Sequence, residues 1–381
     1  MPSAPSSTRS ERRARDTDTV KIVVDCRYVR FPQHDGISRY TAGVVEALSR
    51  KHPVTMLISD ERQLAMLPDL PWSLASGPTS AREPLVAMQV NKLQPDVVFT
   101  PMQTMGTLGR RYKLVKTLHD LIYYRNRTPP RDLNPAIRLM WRLYHLAWWP
   151  QRLLLNRADA VATVSATTKQ LMQQHRLTSR PIVIVGNAPE PAPADAPNSR
   201  SMPEDRELIY MGSFMPYKNV ETLAKALHEL PGYRLHLLSR IGDGDRERLI
   251  ALAPSDALVI HDGTSEADYL ALLETATALV TTSLDEGFGL PLVEAMSLGT
   301  PVVVSDIPIF REIGGEAALY APATDASAVA STIRGLEVPA EWEARSIASR
   351  AQAAQFSWEH SAEALLETLE GLAGETGPRS A

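Results

Sequence analysis

The sequence predicts an α/β protein made of two doubly wound domains that face a cleft. Three observations lead there. From Val20 onward, short apolar runs alternate with helical patterns, the order expected of parallel sheets assembled from βαβ units. A polar, Pro-rich stretch, Asn187-Ala-Pro-Glu-Pro-Ala-Pro-Ala-Asp-Ala-Pro-Asn-Ser-Arg200, then interrupts the alternation and is unsuited to a packed core. The alternation restarts at Leu208. At 381 residues the chain is also long for a single hydrophobic core.

In the first half the expected strands are Val20–Cys26, Val54–Ser59, Asp96–Thr100, Leu114–Leu118, Ala160–Ser165 and Ile182–Val185. In the second they are Leu208–Met211, Leu235–Leu238, Leu258–Ile260, Leu279–Thr282, Val302–Ser305 and Ala318–Tyr320. The resulting division is a tail (1–19), a first domain (20–187), a linker (188–206), a second domain (207–355) and a closing helix with its tail (356–381). Paired folds of this kind bind ligands outside the carboxyl ends of their strands, in the shared cleft.

Composition narrows the class. The tail, MPSAPSSTRSERRARDTDT, is rich in Ser, Arg and Asp without an apolar segment, so it reads as a disordered extension and not as a signal peptide. A net charge of −4 offers no basic field for nucleic acid. Cys26 is the only cysteine, which excludes an internal disulfide and a cysteine-based metal site. At the end of the first strand it reads as a small buried hydrophobe. No apolar run approaches the ~18 residues of a membrane span. The expected compartment is the cytoplasm.

The chemistry concentrates in Ser283-Leu-Asp-Glu-Gly-Phe-Gly-Leu-Pro-Leu-Val-Glu-Ala-Met296. The run Ala278-Leu-Val-Thr-Thr282 before it reads as a buried strand, and Pro291 fits the first turn of a helix, where its missing N–H does no harm. A strand, a Gly-rich loop and a helix N-terminus make an anion site, because the first amides lack intrahelical partners and the dipole favours negative charge. Glu286 and Glu294 frame that site. Carboxylates beside a phosphate-binding turn fit a ligand that also carries paired hydroxyls, such as a ribose diol or a sugar ring. The pattern asks for a sugar nucleotide.

With Gly299-Thr-Pro-Val-Val-Val-Ser-Asp306 behind it, this stretch resembles the Glu-x7-Glu signature of the retaining glycosyltransferases of family four, which have the GT-B fold of two Rossmann-like domains. The resemblance implies a metal-independent hexosyltransferase with no cofactor beyond its nucleotide-sugar substrate. The amides of Gly287, Phe288, Gly289 and Leu290, with Glu286 and Glu294, then belong to the donor site. Tyr210-Met-Gly-Ser-Phe-Met-Pro-Tyr-Lys-Asn219 supplies Gly212, Ser213 and one cation, Lys218, able to neutralise a diphosphate as a compact point charge. Relatives commonly carry Arg directly after this glycine. Here the position is Ser213, which leaves Arg27, Arg39 or Arg240 to replace it.

Thr117-Leu-His-Asp-Leu-Ile122 resembles the His-Asp-Leu motif of many members, whose histidine contacts the transferred sugar. His119 therefore joins Glu286 and Lys218 as the expected catalytic set, with Asp120 supporting it. Asp35-Gly-Ile-Ser-Arg-Tyr40 resembles the family's glycine loop, with Gly36 letting backbone approach the ligand. The helical tail from Phe356 to Leu369 resembles the GT-B closing helix, which returns to the first domain. The loop and His-Asp-Leu together look most like bacterial polysaccharide mannosyltransferases that use GDP-mannose, with a glycan or lipid-linked acceptor. UDP-glucose-type donors, or a sugar-nucleotide epimerase on the same fold, remain as alternatives.

Two further motifs carry open readings. Gly242-Asp-Gly-Asp245 contains an Asp-x-Asp that can hold a metal, but its place between a strand and a helix favours a turn and cap. In Arg138-Leu-Met-Trp-Arg-Leu-Tyr-His-Leu-Ala-Trp-Trp-Pro-Gln-Arg152, Trp141, Tyr144 and Trp148 recur at helical spacing. That stripe either packs on the sheet or dips into the cytoplasmic face of the inner membrane, its arginines on anionic headgroups.

Overall fold

The computed structural model describes residues 19–129, 134–190 and 200–374. Most of the expected N-terminal tail, the middle of the Pro-rich linker and the last seven residues lie outside the described residues.

The first half holds seven parallel strands: β1 (Ile22–Asp25), β2 (Val54–Ile58), β3 (Trp72–Leu74), β4 (Val97–Thr100), β5 (Lys113–Leu118), β6 (Ala160–Thr163) and β7 (Ile182–Ile184). Their order is β3-β2-β1-β4-β5-β6-β7. The second half holds six: β8 (Glu207–Tyr210), β9 (Arg234–Leu237), β10 (Leu258–Ile260), β11 (Ala278–Thr281), β12 (Val302–Ser305) and β13 (Leu319–Ala321), ordered β10-β9-β8-β11-β12-β13. All pairings are parallel. Strands β1, β4, β6 and β12 are buried at every position, as expected for sheets with helices on both faces.

Every strand expected from the sequence is present, with ends shifted by a residue or two. The structure adds β3, a three-residue edge strand whose Trp72 and Leu74 are exposed. Its periodicity is too short to announce it. In each sheet the strand order reverses once, between β1 and β4 and between β8 and β11. A crevice opens outside the strand ends at such a point. Gly212 and Ser213 follow β8 and the Ser283–Leu290 loop follows β11, so the second switch point gathers the motifs singled out above.

The chain closes on itself through the helix Trp358–Gly374, which packs on the helix Gly36–Ser49 of the first half. Ala362, Leu365 and Leu369 are buried in that contact. Arg50 pairs with Glu359 and Lys51 with Glu363, the latter at 2.7 Å. Ser361 Oγ donates to the Gly186 carbonyl at 2.8 Å. The rings of Tyr40 and Trp358 meet edge to face, with centroids 6.2 Å apart.

Gly43 makes this approach feasible, since a Cβ there would overlap the Trp358 indole. Glycine inside a helix ordinarily costs about 0.5–1 kcal/mol relative to alanine. We expect the opposite sign here: Gly43→Ala should lower the thermal unfolding midpoint, since overpacking a tight contact costs roughly 1–3 kcal/mol. A raised midpoint would show that the closing helix is not held in this position.

Candidate active site

The loop after β11 is fixed from both sides of the cleft. Leu284 N–H donates to the Tyr217 carbonyl at 2.7 Å, which ties it to the Lys218 turn. Asp285 accepts from Arg125 at 3.1 Å and from Asn126 at 3.3 Å, both in the first half. Gly289 then takes φ +95°, a left-handed turn that suits glycine, and the helix Leu290–Ser297 begins with Pro291 in its first turn. Lys218 forms an ion pair with Glu286, whose carboxylate also accepts from Ser283 Oγ at 2.8 Å. Asn219, itself left-handed, anchors that turn by donating to the carbonyls of Thr282 and Ala323.

Glu294 is buried in the helix and pairs with Arg39 across the cleft. Its second oxygen accepts from Tyr269 OH at 2.8 Å. Burial pushes this carboxyl upward, and Arg39 and Tyr269 counteract it. Arg39 also reaches Glu266 at 3.0 Å.

The first half brings His119 and Asp120 to the same place. A Cβ on Gly287 would lie 2.9 Å from Asp120 Cβ and 3.1 Å from the His119 carbonyl, so the two backbones approach as closely as glycine permits. The Tyr40 ring stands edge-on to His119 at 4.9 Å. His119 Nε2 lies 2.8 Å from the Pro101 carbonyl. A carbonyl only accepts, so Nε2 carries the proton and Nδ1 keeps its lone pair. Burial lowers the imidazole to about 4, so it is neutral at physiological pH. Burial raises Asp120 to about 6, and Glu286 and Asp285 nearby add to the rise. Both residues line a cavity of about 170 Å³ together with Tyr123, Tyr124, Tyr144 and His145.

The structure thus brings together Glu286, Lys218, Gly287 and the His119–Asp120 segment, while Glu294, in the helix that follows, meets Arg39 and Tyr269. Phe288 contributes backbone only, because its ring is buried against Phe356 with centroids 5.7 Å apart. Leu290 is the first helical residue. Gly212 is held by its N–H on Ser239 Oγ at 3.2 Å, and Ser213 is exposed, its carbonyl accepting from Tyr210 OH. Gly36 opens the helix Gly36–Ser49, capped by Asp35, and a Cβ there would meet open space. It needs no special φ.

Of the three arginines considered in place of Ser213, Arg27 is committed elsewhere. It is buried against Asp25 at 2.8 Å and Glu83 at 2.6 Å. Arg39 stands at Glu294, and Arg240 is exposed beyond the end of β9. Asp243 and Asp245 occupy the first turn of the helix Asp243–Leu252, where Asp245 pairs with Arg248 at 2.6 Å.

The aromatic stripe resolves toward packing. Trp148 stacks on Tyr124 and His175, Trp141 meets Tyr123 and His145, and Tyr144 OH donates to Gln151 Oε1 at 2.9 Å. The outward face of the helix Pro135–Tyr144 is aliphatic instead. Leu139, Met140 and Leu143 are 59%, 65% and 58% exposed. No helix among the described residues is long and apolar enough to cross a membrane.

Two doubly wound sheets with a shared cleft and a crossing-back helix define the GT-B architecture. Comparisons agree. A family model described as "Glycosyltransferase Family 4" matches residues 34–191, and one described as "Glycosyl transferases group 1" matches residues 193–348. The chain thus joins a family 4 glycosyltransferase domain to a group 1 glycosyltransferase domain. It is 28% identical to the O-antigen chain mannosyltransferase RfbU of Salmonella typhimurium over 192 residues, 49% of this chain and 53% of that one. It is 34% identical to O-antigen chain mannosyltransferase B of Escherichia coli over 161 residues, 40% of this chain and 42% of that one. The chain thus spans about half the length of these curated relatives, or less. Among solved structures, a sucrose-phosphate synthase from Thermosynechococcus elongatus superposes with a TM-score of 0.71 at 21% identity, covering 94% of this chain and 100% of that one. Anabaena HepE, solved in complex with UDP and glucose, gives 0.67 at 18% identity over 92% and 100%.

Sequence reasoning missed several of the residues that join the halves. Glu312 accepts from the Ala166 and Thr167 amides at 2.6 and 2.7 Å, capping a first-half helix from the second half. Ser165 Oγ donates to the Gly287 carbonyl at 3.2 Å. Only Asp285, beside Glu286, carried any local signal.

Asp120 yields a signed expectation. Its folded value, about 6, lies above the ordinary 3.8, so its stability contribution is full below 3.8 and lost as pH rises through 6. Asp120→Asn retains the acceptor for Ile122 N–H without the buried charge. The variant should melt above the wild type at pH 8, with the gap narrowing steadily below pH 6. Parallel melting curves across that range would remove Asp120 as a strained carboxylate.

Proposed function

We propose that this chain transfers a hexose, mannose from GDP-mannose in the first instance, to an acceptor hydroxyl with retention of anomeric configuration. The observation that carries the reading is the Lys218–Glu286 pair beside the N-terminus of the helix Leu290–Ser297, set against His119. The mannosyltransferase relatives favour the donor. A UDP-linked donor is the second reading, since Anabaena HepE was solved with UDP and glucose.

Glu294 exchanges Arg39 for the two ribose hydroxyls of the donor. The diphosphate lies on the amides of Gly287 to Leu290 beside Gly212 and Ser213, with Lys218 leaving Glu286 to neutralise it. Gly36 borders the same cleft from the first half. The bond from the anomeric carbon to the phosphate oxygen breaks, and its electron pair stays on the diphosphate. The acceptor oxygen bonds to the same face of the ring, and its proton passes to the departing phosphate oxygen. Glu286 orients the sugar hydroxyls, and the neutral His119, through the Nδ1 lone pair, supports the positive charge developing on the ring. Metal ions have no part in these steps.

Lys218→Ala should lower kcat by about 10²–10³, the usual effect of losing a charge-stabilising donor. Glu294→Ala should weaken binding of GDP in a thermal-shift titration, and Glu286→Ala should spare that binding while lowering turnover. Transfer should persist in EDTA. Glu286 and Glu294 variants within twofold of wild type in both assays would overturn the assignment.

The acceptor in this reading is a glycan on a lipid carrier, met at the cytoplasmic leaflet. What supports it is the exposed aliphatic face of Leu139, Met140 and Leu143 with Arg138 and Arg142 on the same helix, a combination suited to an anionic lipid surface. Association should be weak and reversible, and salt should weaken it further. Vesicle flotation should show binding to anionic and not neutral vesicles, lost in Leu139→Ser/Leu143→Ser and retained in Trp148→Phe. Equal, negligible flotation for all would point to an acceptor in solution.

A further inference from the structure

The cavity beside His119 contains a feature that donor binding does not use. Gln151, in the helix Trp149–Leu155, is 1% exposed. Its Oε1 accepts from Tyr144 OH at 2.9 Å, yet its Nε2 has no hydrogen-bond partner among the described residues. A buried amide left without a partner costs roughly 1–3 kcal/mol. Native interiors seldom keep such a group without a ligand or a water to meet it.

Gln151 lines the cavity together with His119, Asp120, Tyr123, Tyr124 and Tyr144. At ~30 Å³ per water molecule, about 170 Å³ is the space of five or six waters, on the scale of one sugar ring. Its lining joins aromatic walls to a few polar groups, a common design for sites that fix an orientation. An aromatic face accommodates the C–H face of a pyranose, and an amide N–H₂ donates to ring hydroxyls. The cavity also has a fixed position relative to the donor loop. Two of its lining residues, His119 and Asp120, are the ones the Gly287 backbone approaches, so a hydroxyl at that end lies toward the loop carrying Glu286.

We propose that this cavity binds the acceptor's terminal monosaccharide, with the Gln151 amide donating to a ring hydroxyl and thereby selecting its configuration. The proposal rests on the transferase reading and adds a subsite to it. The C-terminal end of the helix Pro135–Tyr144 borders the same cavity through Tyr144, with His145 just beyond it, so a ring held here lies at the end of the helix that carries the exposed aliphatic face.

The experiment uses the full chain with octyl α-D-glucopyranoside and octyl α-D-mannopyranoside as probes, in two arms. Saturation-transfer NMR without donor reads binding to the cavity directly. At least one glycoside should bind wild type and lose most of its signal in Gln151→Met and in Tyr123→Ala, whose partly exposed position makes it the safer variant for folding. Kinetics with GDP-mannose should then show the acceptor KM raised at least tenfold in both variants, with the donor KM held within twofold. Binding unchanged in both variants overturns the subsite. So does a loss that falls on the donor KM, which would assign the cavity to the transferred sugar. Glycoside binding that depends on Gln151 in a chain without donor turnover would uphold the cavity as a sugar site and reject the transferase reading.

Discussion

The contact on which the cleft depends is that between the Gly287 backbone and the His119–Asp120 segment. It joins the ends of β11 and β5, strands of different sheets, at the spacing that the missing Cβ allows. Asp285 on one side and Ser165 on the other hold the same loop to the first half. Glu312 adds a third tie by capping the helix Ala166–Gln174. The position of one glycine thereby sets the distance between the acids of the second half and the imidazole of the first.

That distance governs the electrostatics. Asp120, Asp285 and Glu286 bring three carboxylates together, with Lys218 and Arg125 as their cations. Burial first, and the neighbouring carboxylates after it, push Asp120 upward, and Asp285 is raised as well. Arg39 plays the matching part at Glu294. Each acid proposed for the donor is thus held by a cation in the described structure. A donor carrying both phosphates and hydroxyls can satisfy both members of such a pair: phosphate takes the cation and hydroxyls take the carboxylate.

The helix Pro135–Tyr144 shows how one amphipathic segment can serve two surroundings. Tyr144 and the following His145 line the cavity and Trp141 packs on Tyr123, while Leu139, Met140 and Leu143 face outward. Exposed aliphatic side chains next to one another lose free energy to water unless something covers them.

The alternation of apolar runs identified both sheets and nearly every strand, because strand burial and helix amphipathicity are written in local periodicity. The Gly-rich loop before Pro291, with Glu286 and Glu294, was legible for the same reason: the backbone demands of an anion-binding turn are met by neighbouring residues. The edge strand Trp72–Leu74 was not, since three residues, two of them exposed, carry no period. Nor could sequence choose among Arg27, Arg39 and Arg240. Folding buried the first against Asp25 and Glu83, took the second across the cleft to Glu294 and left the third in solvent. The direction of the Trp141, Tyr144 and Trp148 stripe was likewise open, because helical spacing places residues on one face without saying which face meets the protein. The sequence by itself determined the kind of turn, the charges it carries and the class of ligand these suit. Only the tertiary structure decided which charges meet, because those distances arise where two separately coded sheets come into contact.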